Sequence, residues 1–166
     1  MKKAISPNYI ASPTRAGFTL IEISIAILVI GVLGTIGYVS YNSVVNKARL
    51  VQAMGDIKAI AVAVDFYESR NGVFPGSLSS VGMDNKIDPW ETSYVYIRIN
   101  DPGAGGPRSH QGVPINTDYE LYSHGVDGLS SAPLAAAEAV DDIVRAGNGG
   151  FLGLASNFNQ TNPDDD

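Results

Sequence analysis

The chain of 166 residues has no cysteine, which excludes a disulfide framework, a thiol nucleophile and any thiolate metal site. Packing, hydrogen bonds or a metal must hold the fold instead. Charge is missing in two further places. From Ile23 to Val45 no residue is charged, and about 20 consecutive apolar residues suffice to cross a bilayer as a helix. Met1 to Gly17 carries Lys2, Lys3 and Arg15 but no acid, and it lacks the apolar stretch that a secretory signal peptide needs before its cleavage site. There is no glycine-rich phosphate loop, zinc-ligand spacing or nucleophile elbow. Of the two histidines, His110 lies in a Gly/Pro-rich stretch and His124 merely follows Ser123, which does not make a triad. Enzymatic chemistry is therefore not expected.

The formal charge of −6 hides an asymmetry: all 17 acids follow Gly17, whereas three of the 11 Lys and Arg residues precede it. A chain beginning at Phe18 stands near −9, with eight basic against 17 acidic side chains. Nucleic acid is disfavoured as a partner, because its binding relies on cations that neutralise phosphates. At this length there is room for one domain beyond a long helix.

What is present begins with Gly17-Phe18-Thr19-Leu20-Ile21-Glu22, which sets one carboxylate at the edge of the uncharged run. An acid inside a membrane span costs about 2.5–3.5 kcal/mol on insertion scales and is expected to pair. A cut after Gly17 creates a cationic amine at Phe18, four residues before Glu22. The alternative is an ordinary signal anchor in which Glu22 simply answers the positive end of the helix dipole. Lys2, Lys3 and Arg15 place the leader in the cytoplasm and the bulk of the chain across the membrane; Lys47 and Arg49 argue weakly the other way.

Beyond Asn46, apolar residues recur at Leu50, Met54, Ile57, Ala61 and Val64, while Arg49, Gln52, Asp56, Asp65 and Glu68 lie largely off that face. One helix is expected from about Phe18 to Ser69, capped near Asn71-Gly72 and stopped by Pro75. Gly31, Gly34 and Gly37 make either a packing groove for neighbouring helices or ordinary membrane-helix glycines. Gly76 to Lys86 reads as a loop. Ser93 to Ile99 reads as a strand with Val95, Ile97 and Ile99 on one face and Tyr94, Tyr96 and Arg98 on the other. Asp101 to Thr117 is a Pro/Gly-rich loop, and Thr117 to Ser123 a second strand antiparallel to the first. Pro133 followed by Leu134 to Glu138 suggests a helix start, and everything from Gly147 a mobile tail. Trp90 and the tyrosines read as core rather than a carbohydrate platform. The expected class is α+β: a leader over 1–17, a membrane and assembly helix over 18–45, its amphipathic continuation over 46–71, a β head over 72–146 and a flexible acidic tail over 147–166.

The basic leader ending in Gly17, followed by Phe18-Thr19-Leu20-Ile21-Glu22 and an apolar helix, resembles the prepilin signal of the type IV pilin and pseudopilin superfamily. That resemblance implies a prepilin peptidase that cuts between Gly17 and Phe18 and methylates the new amine. Where the superfamily commonly has a proline near position 39, this chain has Val39. The later segments Asp88-Pro89-Trp90, Tyr94-Val95-Tyr96, Tyr119 to Gly128 and Asp141-Asp142-Ile143 resemble the major, G-type pseudopilins of type II secretion systems. The resemblance implies a pilin-like fold whose late C-terminal loop binds calcium. Position by position, the resemblance assigns side-chain ligands to Asp127, Asp141 and Asp142, with backbone carbonyls near Leu121 and His124 available to complete the shell. Calcium takes 6–8 oxygens and would relieve repulsion among three acids. Without it, Asp127-Gly128 is only a turn and Asp141-Asp142 a solvated helix end. In a continuous helix the two adjacent acids point about 100° apart, which favours Asp127 with Asp142 and requires a break near Asp141.

The resemblance also implies a homopolymer, the periplasmic pseudopilus, in which Ile23 to Val45 packs against sister helices and Glu22 meets a neighbour's Phe18 amine. Implied partners are minor pseudopilins, an inner-membrane assembly platform with its ATPase, the prepilin peptidase and inner-membrane lipid. Two alternatives stand beside it: a type IV pilus or competence pilin, and a membrane-tethered calcium-binding or hydrolytic domain that never polymerises.

Overall fold

The computed structural model describes residues 17–99, 101 and 107–158, excluding the side chains of residues 36, 37, 39 and 40. The leader before Gly17 and the stretch after Phe158 lie outside the described residues. Two compact units are present, Met1–Ser43 and Val44–Asp166. Helix α1 (Leu20–Asn71) begins in the first and ends in the second. In the first unit its apolar side chains, among them Ile23, Ile27, Leu28, Ile30 and Leu33, are exposed. Among the described residues no helix is long and apolar enough to cross a membrane. The uncharged run includes the four positions whose side chains are excluded.

In the second unit α1 buries a stripe formed by Ala53, Ile57, Ile60 and Val64, with Leu50, Met54 and Ala61 on its flanks. Spacings of three and four bring these side chains onto one face, as the sequence pattern requires. The helix stops at Gly72, whose φ of 73° is open to glycine without a Cβ penalty and whose N–H donates to the Glu68 carbonyl at 2.7 Å. Asn71 adds a bond from Nδ2 to the Tyr67 carbonyl at 2.8 Å.

Against this stripe lies an antiparallel sheet of β1 (Val95–Arg98), β4 (Tyr119–Ser123), β5 (Ile143–Ala146) and β6 (Phe151–Leu154), in that spatial order. The short hairpin of β2 (Ser109–His110) and β3 (Val113–Pro114) stands apart from it. Strand alternation sorts the side chains. Tyr119, Leu121 and Ile143 join the helix stripe together with Tyr94 and half-buried Tyr96 and Trp90, whereas Val144 and Ala146 face a second cluster with Ile115, Leu134, Ala155 and Phe158. The tyrosines and Trp90 are thus core, as expected. Two phenols reach back to the helix: Tyr94 donates to Asp56 at 3.2 Å and Tyr119 to Asp65 at 2.9 Å. Burial raises both phenols far above the usual tyrosine range and pushes Tyr96 up to about 12, so all three are hydrogen-bond donors at neutral pH.

Three expectations need correction. Within the expected loop over Gly76 to Lys86, Leu78–Val81 forms a 3-10 turn that buries Leu78. No helix starts at Leu134. There the chain pairs with β2, the Leu134 N–H donating to the Ser109 carbonyl at 2.9 Å, and only Ala137–Ala139 makes a 3-10 turn before β5. Burial of Leu134 and Ala139 and the sheet pairing of Ile143 and Val144 outweigh the helix propensity of three alanines. The expected flexible tail from Gly147 is also ordered through Phe158: β6 pairs with β5 over four residues, and Phe158 packs edge-on against Phe151 at 5.1 Å. Glycines and asparagines there serve turns, with Asn148 at a φ of 51° between the strands.

Truncating Phe158 to Ala is therefore expected to lower unfolding stability by about 3 kcal/mol. Denaturant titration of the full-length chain in detergent checks it, and a shift within about 0.5 kcal/mol would return this segment to the status of a tail.

Candidate functional site

Two places bring the sequence-derived candidates together. At the first, Gly17 and Phe18 are exposed, Phe18 by 84%, at the entry to α1. Glu22 turns back on Thr19: its Oε2 accepts the Thr19 N–H and hydroxyl, both at 2.8 Å, while the Glu22 N–H donates to Thr19 Oγ1 at 3.3 Å. This is the reciprocal capping box that Thr-x-x-Glu forms at helix starts. The carboxylate has acceptor capacity left beyond Thr19. The site is open to a second chain, and Glu22 is preoriented there.

The second place is a junction of loops at the end of β4. Asp88, buried inside the Asp-Pro-Trp segment, folds its own turn: its Oδ1 accepts the N–H groups of Trp90 at 3.0 Å and Thr92 at 2.9 Å. Its Oδ2 accepts the hydroxyl of Ser123 at 2.5 Å, and Ser123 Oγ in turn accepts the Gly125 N–H at 3.1 Å. Gly125 has a φ of 66°, and a Cβ there would stand 2.2 Å from the Asp141 carbonyl oxygen. Asp141 then closes the loop, its Oδ2 accepting the N–H groups of Val126 at 2.7 Å and Asp127 at 3.2 Å. The segments that seemed separate in the sequence form one hydrogen-bonded chain.

The proposed metal ligands divide. Asp127 is exposed and caps its own turn through the Leu129 N–H at 2.8 Å. Half-buried Asp141 sits beside it. Asp142 is fully buried on another side, where its Oδ2 accepts from Arg108 Nη2 at 2.5 Å and Ser130 Oγ at 2.6 Å. Leu121 lies inside β4 opposite Tyr96 with its side chain in the core, and the His124 ring lies 5.6 Å from the Tyr122 ring. Among the described residues no three His, Asp or Glu side chains gather closely enough to hold a metal ion. Since calcium needs its oxygens to converge at 2.3–2.6 Å, these residues do not fit a three-carboxylate calcium site. The expected break in a helix near Asp141 is replaced by a turn that leads into β5.

Arg108 went unnoticed in the sequence. It is the only Lys or Arg between Arg98 and Arg145, and that isolation within a Pro/Gly-rich stretch was the available signal. Its guanidinium is buried, 4.2 Å above the centre of the Tyr122 ring, and Nη2 also donates to the Ser131 carbonyl at 3.1 Å. Glu120 is a further buried acid, accepting the Arg108 N–H at 3.1 Å and Asn116 Nδ2 at 2.9 Å. Burial raises the Glu120 carboxyl above the usual glutamate range, against the pull of those two donors. Burial likewise raises Asp142, with Ser130 and Arg108 opposing it.

Two expected outcomes follow from this geometry. Gly125→Ala should destabilise the chain by more than the roughly 1 kcal/mol typical of point substitutions, because both φ and the Asp141 carbonyl oppose it; an unchanged thermal midpoint would sink the close approach. For Glu120, the folded state keeps a proton that the unfolded chain, titrating near about 4.3, has already lost. Its contribution to stability therefore falls as pH rises through that window and levels off above the folded value. Urea titrations across the acid range should show this decline in the wild type and lose it in Glu120→Gln.

Residues 13–38 match the family model described as the prokaryotic N-terminal methylation motif. The chain is 30% identical over 135 residues to a type II secretion system core protein G from Pseudomonas aeruginosa, covering 69% of this chain and 85% of that protein. It is 29% identical over 136 residues to the protein of the same name from Klebsiella pneumoniae, covering 78% and 92%. With the Escherichia coli protein of that name it shares 26% over 141 residues, covering 71% and 86%. No solved structure matches the chain.

Proposed function

This chain belongs to the type II secretion system core protein G family, the major pseudopilins, and we propose that its mature form polymerises into a periplasmic pseudopilus that drives folded proteins across the outer membrane. Similarity running over 85% of the Pseudomonas aeruginosa relative, far beyond the methylation motif, carries this reading. A short N-terminal match alone would serve any member of the wider superfamily.

In this proposal the leader is cytoplasmic, the segment 18–45 crosses the inner membrane, and the head lies in the periplasm. A prepilin peptidase releases Gly17 and methylates the amine of Phe18. The exposed apolar side chains of the first unit, which have no cover in a single chain, then find lipid or sister helices. Glu22, already drawn to the helix start by Thr19, offers its remaining acceptor capacity to the amine of a neighbouring subunit. Minor pseudopilins, the membrane platform and its ATPase are the partners that such assembly calls for. Calcium enters the proposal only at the neighbours Asp127, exposed, and Asp141, half-buried, supported by the resemblance and their proximity.

Mass spectrometry of the mature protein is expected to find a chain starting at Phe18 with one added methyl group; an intact Met1 leader would overturn the processing step. Glu22→Ala should leave membrane insertion intact while abolishing fibre formation, scored by cross-linking between subunits. Undiminished fibres in that variant would refute the role given to Glu22.

A further inference from the structure

We infer that Arg108 is the built-in cation of the head's loop junction, taking at Asp142 the place that a bound metal ion would otherwise fill, so that the fold of this chain does not depend on calcium. The inference goes beyond the pseudopilin assignment and stands whether or not the chain polymerises.

Asp142 is the only one of the three candidate ligands that is fully buried, so it is the one that cannot remain ionised without a partner. The structure supplies that partner from within at Oδ2, while Asp142 Oδ1 and Arg108 Nε and Nη1 are buried without a hydrogen-bond partner. Arg108 Nη2 lies 2.5 Å from Asp142 Oδ2, with the side chains 4% and 0% exposed. The guanidinium is held in place by the Ser131 carbonyl at 3.1 Å and by the Tyr122 ring at 4.2 Å, and its own backbone N–H is fixed by Glu120 Oε1. Ser130 donates to the same carboxylate oxygen at 2.6 Å. The pair therefore joins the start of β2, the loop after β4 and the turn before β5, three segments distant in sequence. A cation bridging Asp142 to the 127–131 loop is what a metal would contribute there. Calcium has no carbon stem to bury, whereas Arg108 also covers the outer face of Tyr122.

A covalently attached cation differs from a bound one in a measurable way. Stabilisation by a ligand grows with its free concentration, whereas that of an internal ion pair is indifferent to chelation. Removing one member of a buried pair leaves the other charge stranded, while replacing both by apolar side chains is often tolerated. That pattern of non-additivity separates an ion pair from two independent packing residues.

The test uses the full-length chain in detergent, with thermal unfolding followed in EDTA and in millimolar calcium chloride. The wild type is expected to unfold cooperatively in EDTA, within a few degrees of its midpoint in calcium. Arg108→Met should lower the EDTA midpoint markedly, and Arg108→Met combined with Asp142→Leu should recover much of that loss. If Arg108→Met does not fold in EDTA, recovery in the double variant alone decides the matter. A wild type that unfolds on chelation and refolds with calcium would overturn the inference, as would a double variant no better than Arg108→Met.

Discussion

The head exists because one face of α1 is apolar for four successive turns and the sheet has a matching face. Ala53, Ile57, Ile60 and Val64 lose nearly all contact with water, and Tyr119, Leu121 and Ile143 are the residues that exclude it. The isoleucine, leucine and valine side chains among them contribute about 1.5–3 kcal/mol each when fully buried, which is enough to set the register of every strand that follows. A one-residue slip of β4 would turn Tyr119 and Leu121 outward and bring Glu120 and Tyr122 onto the helix. The paired burial of alternate residues thus fixes where Glu120 and Asp142 must lie, and so fixes the polar network behind the sheet.

Polar groups then sharpen what burial began. The hydroxyls of Tyr94 and Tyr119 end at Asp56 and Asp65, two acids on the flank of the helix stripe, so the aromatic rings sit in the core while their polar tips find acceptors at its border. Arg145 holds Asp118 through both nitrogens, at 3.0 and 2.6 Å, and lies 4.0 Å above the Tyr119 ring. Arg108 repeats the arrangement on the opposite face with Asp142 and Tyr122. Each face of the sheet is closed by one arginine that covers a tyrosine of β4 and neutralises an aspartate.

Periodic features were legible before the fold was seen. The long helix, its glycine cap, the tyrosine-rich strand and its antiparallel partner follow from repeats of 3.6 and 2.0 residues that neighbours alone determine. The helix start suggested by Ala135, Ala136 and Ala137 and the tail suggested by Gly147 to Gly150 were misread for one reason. In both, local preference is overruled by strand pairing: with β2, distant in sequence, in the first case, and in the second with the adjacent β5, for which Gly147 to Gly150 is the hairpin turn into β6. At the junction, the acids were visible but their partners were not. Nothing in Arg108 or Ser123 announces an interaction with Asp142 or Asp88 across 34 or 35 residues.

Glu22 is exposed and Asp142 fully buried, so the same group faces different demands at the two sites. A carboxylate removed from water needs hydrogen-bond donors, and it needs a cation if it is to stay ionised. Asp142 obtains both within its own chain, where sheet formation brings Arg108 and Ser130 to it. Glu22 obtains only donors, from Thr19, and no cation is paired with it among the described residues. The buried acid thus has a cation in its own subunit, with its Oδ1 left without a hydrogen-bond partner, whereas in the proposed fibre the helix-start acid takes its cation from a neighbour. In that proposal the two acids divide the work: the Arg108–Asp142 pair serves the head within one subunit, and Glu22, held at the helix start by Thr19, serves the step at which subunits recognise each other.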